Sequence, residues 1–518
     1  MNAPGQEDRV EVELELKLAI AESDAKRVAR LPLIRETAVG RARTRAMHSI
    51  YFDTPDGALR GAQAALRLRR EGTRWMQTVK FGGGVEGGLH ARHEAQTRVA
   101  GPVLDRRALA QPALAPVLGQ PGLLDGLVPL FTAEFSRTTR MLAPQPDTSI
   151  ELCVDVGEIR AGERRTPICE IELELKSGAP AVLIGFADAL VQQLPGRLEP
   201  ASKAERGYAL AFDRAMAPVR AEAARFDPDG SLEQAFRAIV FGCIRQLQAN
   251  EAGVLAGQDP EYLHQARVAL RRLRATLVTF DAAFPRASYA HLMDELRWLG
   301  GCLGPARDWD VFTTETLPPV LRAFPDDGGL SVLAQRAASL RADTGRVARE
   351  ALASVRTTRL LLGFTGLFLQ RPWMADSASE AVRALGPRAF ARQTLTRRHK
   401  KAVKRGRGHA QFDHAALHAL RIEVKKLRYA AESVGPLFER KAVRAYLETL
   451  TVLQGLLGGL NDAATVDRLC RSLRDTAART GVEESLGLLR GWAAALAEDH
   501  LSALPRAWKR FRSAAPFW

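Results

Sequence analysis

The sequence predicts an α+β protein with a strand-rich N-terminal part and an all-helical C-terminal part. Up to about Phe212, Val, Leu and Ile alternate with charged residues at a period of two, between Gly, Pro and Asp turns, which is typical of half-buried strands. After about Gly230 the chain is rich in Ala, Leu and Arg with a period of 3.6, which is typical of helices. Residues 213–230 contain two prolines and a D-P-D-G turn, so we place the domain boundary there.

Length and composition limit the class of protein. The 518 residues are enough for several domains. The most apolar stretch, Leu360–Gln370, lies between two arginines and is shorter than the roughly 20 residues that a membrane span needs. The five cysteines are far apart, and the acidic N-terminus has no apolar signal segment. We therefore expect a reduced, cytoplasmic protein without a membrane partner.

The net charge of +15 is unevenly distributed along the chain. Residues 1–229 hold 31 basic and 31 acidic residues, so the whole excess lies in residues 230–518. A concentrated positive charge favours a polyanionic partner such as nucleic acid, an anionic membrane or a phosphate polymer. An arginine-rich surface that only maintains solubility is the alternative.

The predicted strands carry a mixture of charges on one face. Glu13, Glu15 and Lys17 alternate with leucines on the first strand, a later strand repeats three glutamates at residues 170–174, and the strands between them are mainly basic. An ordinary solvated face explains one such strand better than it explains six. If the sheet closes with these faces inward, the interior needs a ligand that balances both signs. Polyphosphate with Mg²⁺ or Mn²⁺ does so, because cations bind phosphoryl oxygens and carboxylates bind hard metal ions.

Six motifs occur in order within residues 9–213. They are E-x-E-x-K at 13–17, Y-F-D-T at 51–54 followed by A-L-R-L-R-R, T-V-K ending at 80, G-G-L-H-x-R-x-E ending at 94, E-x-E-x-E at 170–174 and S-K-A-E-R-G-Y at 202–208. This series resembles the CYTH domain of the triphosphate tunnel metalloenzymes. The resemblance implies an antiparallel eight-stranded β tunnel, with helices, that binds a triphosphate group and metal ions.

The same resemblance implies roles for individual residues of this chain. The implied metal ligands are Glu13, Glu15, Glu172, Glu174 and, less directly, Asp155. The implied phosphate ligands are Lys17, Arg67, Arg69, Lys80, Arg92, Arg137, Lys203 and Arg206. Glu13, Glu15, Lys17 and Glu94 are the implied catalytic group, with Glu94 and Asp155 as candidates for orienting the attacking water.

One motif occurs twice in the C-terminal part, at an offset of 154 residues. HQARVALRRLR at 264–274 aligns with HALRIEVKKLR at 418–428, and L-G at 303–304 with Asp308 aligns with L-G at 457–458 with Asp462. Agreement over two separated segments predicts two similar helical halves. The repeated candidates for anion binding are His264, Arg267, Arg271, Arg272 and Arg274, and His418, Arg421, Lys425, Lys426 and Arg428.

These basic residues form a stripe on each predicted helix. Positions 264, 267, 271 and 274 lie within an arc of about 80° beside an apolar stripe. A solvated face with a capping histidine is the alternative for a single copy. Few aromatic residues accompany the stripes, which disfavours nucleic acid and favours a ligand made only of phosphate.

The repeated motif resembles the CHAD domain, and the resemblance extends over residues 231–512. It implies an all-α fold of two pseudo-symmetric four-helix halves that binds inorganic polyphosphate. The two copies differ here, because Lys425 and Lys426 replace an arginine pair and Asn461 stands where Arg307 does.

Together the two parts predict a metal-dependent inorganic triphosphatase or short-chain polyphosphatase, with Mg²⁺ or Mn²⁺, joined to a polyphosphate-binding helical domain. We expect the domains at residues 9–213 and 231–512, with a linker at 214–230. The alternatives are a non-catalytic polyphosphate-binding or granule-targeting protein, a triphosphatase for a nucleoside or thiamine triphosphate, and nucleic-acid binding. A cytoplasmic location, in association with polyphosphate granules, is part of the hypothesis.

Overall fold

A computed structural model describes residues 11–213, 216–408, 413–475 and 482–518. The chain forms two compact units, Met1–Met216 with Ala353–Gln370 and Ala217–Leu352 with Arg371–Trp518. Residues 353–370, within the sequence-predicted helical part, thus group with the first unit. The domain boundaries stay predictions, and residues 9, 10, 214 and 215 lie outside the described residues.

The first unit is built on a closed antiparallel sheet. Eight strands close it in the order β5-β4-β3-β2-β6-β7-β8-β1, because β1 also pairs with β5 within the described residues, and a two-residue β9 adds to β1. The predicted eight-stranded tunnel is confirmed. The strands are β1 (Glu11–Ala19), β2 (Ala38–Asp53), β3 (Ala65–Glu71), β4 (Arg74–Glu86), β5 (Leu89–Val99), β6 (Val128–Gln145), β7 (Thr148–Ala161), β8 (Arg164–Ser177) and β9 (Arg197–Leu198).

The period-two pattern decides which side chains point into the barrel. On β1, Glu13, Glu15 and Lys17 point inward, while Leu16 and Leu18 are fully buried on the outer face. The register places inward carboxylates next to each other, since Glu15 lies opposite Glu174 of β8 and Glu174 lies opposite Glu151 of β7. Because charged residues alternate with apolar ones along the strands, closure of the sheet produces a charged interior.

Helices cover parts of the barrel. They are α1 (Glu22–Ala25), α2 (Pro32–Thr37), α3 (Ala58–Gly61), α4 (Arg106–Leu109), α5 (Ala115–Leu118), α6 (Pro180–Gln193) and α7 (Lys203–Ala211). The second unit begins with α8 (Leu232–Ala256), α9 (Pro260–Phe280), α10 (Ala290–Val311), α11 (Leu317–Ala323) and α12 (Gly328–Ala353). The chain then returns to the first unit as α13 (Val355–Gln370).

Helix α13 is part of the first unit because it packs on α6 and bonds to its loops. The hydroxyl of Thr358 donates a hydrogen bond to the carbonyl of Gly196 (2.9 Å), and that of Thr365 donates to Gly87 (3.1 Å). Arg359 forms an ion pair with Asp188 of α6 at 2.8 Å. The helix is apolar on most sides, as a covered core helix is.

Helix α7 lies against β6, β7 and β8 at one end of the barrel. Ser202 and Glu205 form a capping box at its start. A Cβ at Gly207 would lie 2.0 Å from the Phe131 ring, so only glycine allows this contact. Tyr51 stacks on the other side of this apolar cluster, with its ring 4.6 Å from that of Phe131. The S-K-A-E-R-G-Y motif therefore seals the end of the barrel where β2 ends and β6 begins.

The second unit contains two related sets of helices. The second set is α15 (Pro387–Arg405), α16 (His414–Val434), α17 (Arg440–Asp475) and α18 (Glu483–Ser513), with α14 (Glu380–Arg383) before it. At an offset of 154 residues, α8, α9, α10 and α12 correspond to α15, α16, α17 and α18. The predicted halves of four helices are confirmed. They share a core, in which Leu330 and Leu333 cluster with Leu469 and Leu473.

Among the described residues, no single helix is both long and apolar enough to cross a membrane. The pair α12 and α13 meets the length and composition criteria only together, and it bends by 46° at the break.

Candidate functional site

A cavity of about 690 Å³ fills the interior of the barrel. Side chains from all eight long strands and from the start of α7 line it. Twelve of the sequence-predicted residues contribute to this wall: Glu13, Glu15, Lys17, Arg67, Arg69, Lys80, Arg92, Glu94, Arg137, Glu172, Glu174 and Lys203. The fold thus brings most of the candidate triphosphate and metal ligands to one enclosure, while their individual roles stay predictions.

One wall of the cavity is acidic. It is formed by three neighbouring strands, with Glu13 and Glu15 from β1, Glu172 and Glu174 from β8, and Glu151 from β7. Sequence analysis missed Glu151, although the alternation E-L-C-V-D at 151–155 could have indicated that Glu151 and Asp155 share a face. Clustered carboxylate oxygens are the donors that a hard divalent cation prefers. The donor set of this wall therefore fits a hard divalent cation.

The carboxylates of the acidic wall differ in their proton affinity. Burial raises the pKa of Glu13 to about 7, with repulsion from Glu15 and Glu94 adding to burial and Lys80 opposing it. Although burial acts the other way, Lys17 at 2.8 Å holds the pKa of Glu15 at about 2. Crowded carboxylates of this kind are stabilised by a cation with more than one charge.

The opposite wall is basic. Arg67 and Arg69 come from β3, Lys80 from β4, Arg92 from β5 and Arg137 from β6. Burial, together with repulsion from Arg67 and Arg137, lowers the pKa of Arg69 to about 10. Among the described residues, the Nε atoms of Arg67 and Arg92 are buried without a hydrogen-bond partner. Such donors favour an anionic ligand that accepts their hydrogen bonds.

Glu94 lies on the basic wall between cations. Lys80 is 3.3 Å and Arg67 3.6 Å from its carboxylate. Against the effect of burial, these two cations lower the pKa of Glu94 to about 2. Glu94 is therefore ionised at neutral pH and accepts hydrogen bonds.

Lys203 is held by a cluster of three buried carboxylates. Its ammonium lies 2.6 Å from Asp155 and 2.9 Å from Glu172, and it also bonds to Glu170. The three carboxylates are close enough together to hold a metal ion, but the Lys203 ammonium lies among them. Arg137 bonds to Asp155 and Glu172 as well.

Two predicted site residues lie behind the cavity wall. Asp155 is fully buried and does not line the cavity, and Arg206 pairs with Glu170 instead of facing the interior. Sequence analysis did not assign a role to Glu170, although it opens the E-x-E-x-E motif. Asp155, Glu170 and Arg206 thus support Lys203 and the strands around it.

In the second unit, the two basic stripes converge. The guanidinium of Arg271 on α9 lies 5.5 Å from the ring centroid of Tyr429 on α16, so the two repeated helices face each other. Burial and the neighbouring charges of Arg421, Arg271 and Arg267 lower the pKa of Lys425 to about 8, and Asp462 opposes this effect only in part. His264 also joins the cluster, since Arg307, Arg271 and Arg267 act with burial to lower its pKa.

The other residues of the two stripes have different surroundings. Arg272 donates to the side chain of Gln246 at 3.0 Å, Lys426 pairs with Glu423 at 2.9 Å, and Arg428 pairs with Glu432 at 2.7 Å. Arg274 lies near Gly300 of α10, and His418 is exposed on α16. The convergent set is therefore smaller than the predicted set of ten.

The two halves of the second unit are similar but not identical. Arg421 donates to the side chain of Asn461 at 2.9 Å, so the asparagine that replaces Arg307 is a partner of a stripe arginine. On the first half, Arg307 instead pairs with Glu315 at 3.4 Å. This substitution removes one cation from the second half and orients another.

Each of the two parts of the chain matches a protein-family model. The CYTH domain model matches residues 11–208, and the CHAD domain model matches residues 238–471, in the predicted order. The crystal structure of the CHAD domain from the plant Ricinus communis is 35% identical, covers 58% of this chain and 98% of that chain, and has a TM-score of 0.50.

Two curated relatives are similar over different lengths. The inorganic triphosphatase of Haemophilus influenzae is 35% identical over 161 residues, which are 31% of this chain and 44% of the relative. The match thus spans less than half of that relative's length. An uncharacterized protein of Mycobacterium tuberculosis is 28% identical over 486 residues, or 88% of each chain.

Proposed function

Because the chain belongs to the CHAD family and carries a CYTH domain before its CHAD domain, we propose that it is a metal-dependent hydrolase of inorganic triphosphate and short polyphosphate. The observation that carries the proposal is the enclosed cavity, in which an acidic wall faces a basic wall. A phosphate chain with bound cations satisfies both walls, whereas a purely anionic or cationic ligand satisfies one.

The proposed metal site is on the acidic wall. Glu13, Glu15, Glu151 and Glu174 would hold Mg²⁺ or Mn²⁺, since they are neighbouring inward oxygen donors that are not all neutralised by cations. When bound, such an ion neutralises phosphate charge and lowers the pKa of a bound water. Glu172 contributes less, because Lys17, Lys203 and Arg137 already surround it.

The remaining residues bind and orient the substrate. Arg67 and Arg92 donate their free Nε–H groups to phosphoryl oxygens, and Arg69 and Lys80 stabilise the charge that develops on the terminal group. Glu94, with a pKa of about 2, is too weak a base to take a proton at neutral pH. It orients the attacking water by accepting a hydrogen bond.

The helical unit has a separate proposed role, which is to bind inorganic polyphosphate. Arg267, Arg271, Arg421 and Lys425 repel one another, so a bound polyanion would stabilise them together. The proposal includes a cytoplasmic location, which the five free thiols support, and an association with polyphosphate granules, which depends on the proposed polyphosphate binding.

A substrate panel tests the catalytic proposal. Purified full-length protein is given triphosphate, long polyphosphate, ATP or thiamine triphosphate, with Mg²⁺, Mn²⁺ or EDTA, and phosphate release is measured. We expect metal-dependent release, fastest from the inorganic substrates. Preference for an organic triphosphate would assign the alternative substrate class, and no release from any of them would leave a binding protein.

The helical site should lose affinity for polyphosphate as the pH rises through about 8. Lys425 has a pKa of about 8, and a bound polyanion would raise that pKa, so binding is strongest below pH 8. Each pH unit above it costs up to about tenfold in affinity. Calorimetry in EDTA between pH 7 and 9 measures the effect.

Lys425→Arg provides the comparison, because arginine stays charged over this range. The variant should bind with little dependence on pH. Lys426→Arg is the matched control, since Lys426 is already paired with Glu423. An unchanged pH dependence in Lys425→Arg would contradict the assignment.

A further inference from the structure

The barrel cavity opens at the end opposite α7. At this end β2 begins and β5 ends, and Arg43 and Arg45 of β2 with Arg98 of β5 line the cavity there. All three side chains are exposed. Sequence analysis assigned no role to them, although R-A-R-T-R at 41–45 alternates as the inward arginines of β3 do.

These three arginines differ from the cations deeper in the cavity. Lys17, Lys80, Arg137 and Lys203 each pair with one or more glutamates or aspartates. Over the described part of the chain, no carboxylate lies within 4.0 Å of Arg43, Arg45 or Arg98. Of the carboxylates that share the cavity wall, Glu71 pairs with Arg69 at 3.8 Å and Glu174 with Lys176 at 2.5 Å, while Glu151 belongs to the proposed metal site. We call the open end lined by Arg43, Arg45 and Arg98 the mouth, and within the described residues its positive charge is not neutralised by a paired carboxylate.

The chemistry of the mouth selects one class of ligand. Guanidinium groups bind phosphate oxygens through paired N–H donors. A nucleoside or thiamine moiety would need an aromatic side chain to stack on. Among the described residues that line the cavity, Tyr51 is the single aromatic residue, and it lies at the closed end. The mouth thus fits more phosphate and does not fit an organic group.

We infer that Arg43, Arg45 and Arg98 form a subsite for phosphate groups that extend beyond the three held inside, so that the barrel takes linear inorganic polyphosphate by one end. This inference rests on the proposed function, because it assumes that a phosphate chain occupies the cavity. The part of the polyphosphate chain that extends beyond the cavity crosses the mouth, where the three guanidinium groups bind its phosphates.

The test compares chain lengths. The triple variant Arg43→Gln/Arg45→Gln/Arg98→Gln and the wild type hydrolyse triphosphate, tetraphosphate and a long polyphosphate, each at low and at high salt. The ratio of kcat/KM for the longer chains to that for triphosphate should fall by about tenfold or more, because charge-assisted hydrogen bonds are lost only with the longer chains. A matched control, Arg30→Gln/Arg35→Gln/Arg107→Gln, removes the same charge from exposed positions outside the cavity and should keep the wild-type ratio.

Two outcomes would overturn the inference. An unchanged ratio, with an equal loss for all substrates that disappears at high salt, would show that the arginines only attract anions from a distance. If the wild type hydrolyses nothing, the proposed function fails, and calorimetry in EDTA decides the subsite separately. The affinity of the triple variant Arg43→Gln/Arg45→Gln/Arg98→Gln for tetraphosphate must then be at least about tenfold lower than that of the control variant. The helical site is the same in both variants, so it does not account for a difference. Equal affinities would refute the proposed subsite.

Discussion

The double variant Glu13→Gln/Glu15→Gln should lose at least about 100-fold in kcat/KM for triphosphate, because a metal ion contributes several kcal/mol to such a reaction. Both carboxylates point into the cavity on the strand between β8 and β5. Glutamine keeps the size of each side chain but removes the charge that holds a divalent cation. Phosphate release under saturating Mg²⁺ or Mn²⁺ measures the loss.

A second readout separates metal binding from catalysis. The affinity for Mn²⁺, measured directly on the protein without substrate, should fall in parallel with the activity. The control is Glu36→Gln/Glu163→Gln, which removes two exposed carboxylates of the same unit outside the cavity. Normal turnover in the double variant would refute the assigned metal role, whereas loss of activity with unchanged Mn²⁺ affinity would move that role to Glu151 and Glu174.

Lys203→Met should strongly destabilise the first unit. It leaves Asp155, Glu170 and Glu172 buried without the ammonium that lies among them. Removing one partner from a buried ionic cluster costs about 3–5 kcal/mol. Scanning calorimetry of the full chain should show a lower unfolding temperature for this variant. The control is Lys26→Met, which replaces an exposed lysine of the same unit and should leave the unfolding temperature unchanged.

The pH dependence gives this prediction a sign. Against burial, Lys203 and Arg137 hold the pKa of Glu172 well below its usual value, so this carboxylate stabilises the wild type at neutral pH and ceases to do so as the pH falls. The difference between wild type and Lys203→Met should therefore be largest near pH 7 and smaller towards pH 4. Equal unfolding temperatures for Lys203→Met and Lys26→Met at pH 7 would show that the cluster contributes nothing to stability.

The sequence was most informative where one periodicity decides a position. Alternation on β1 and β3 was enough to place Glu13, Glu15, Arg67 and Arg69 on the inner face, since a strand has only two faces. The 154-residue offset was enough to align four helices of the first half of the second unit with four helices of its second half. Both inferences use local spacing, which the chain keeps when it folds.

Contacts between distant strands and helices were beyond this reasoning. Whether Lys203 faces a substrate or a carboxylate cluster depends on the register of β7 and β8, which spacing does not determine. The helical angle could have predicted that Arg272 and Lys426 lie apart from their stripes. Each is rotated about 80° around the helix from the first residue of its stripe, in the direction opposite to the other stripe residues. A helix turns such side chains towards its neighbours, where Gln246 and Glu423 bind them.

The return of α13 to the first unit affects the order of events during synthesis. The barrel strands leave the ribosome long before Val355–Gln370 does, so α6 stays without its covering helix while residues 217–352 are made. At 5–20 residues per second that interval is roughly 7–27 s. During this time the surface of α6 that α13 covers in the folded chain stays exposed, and a protein fragment that ends at residue 216 lacks this covering helix altogether.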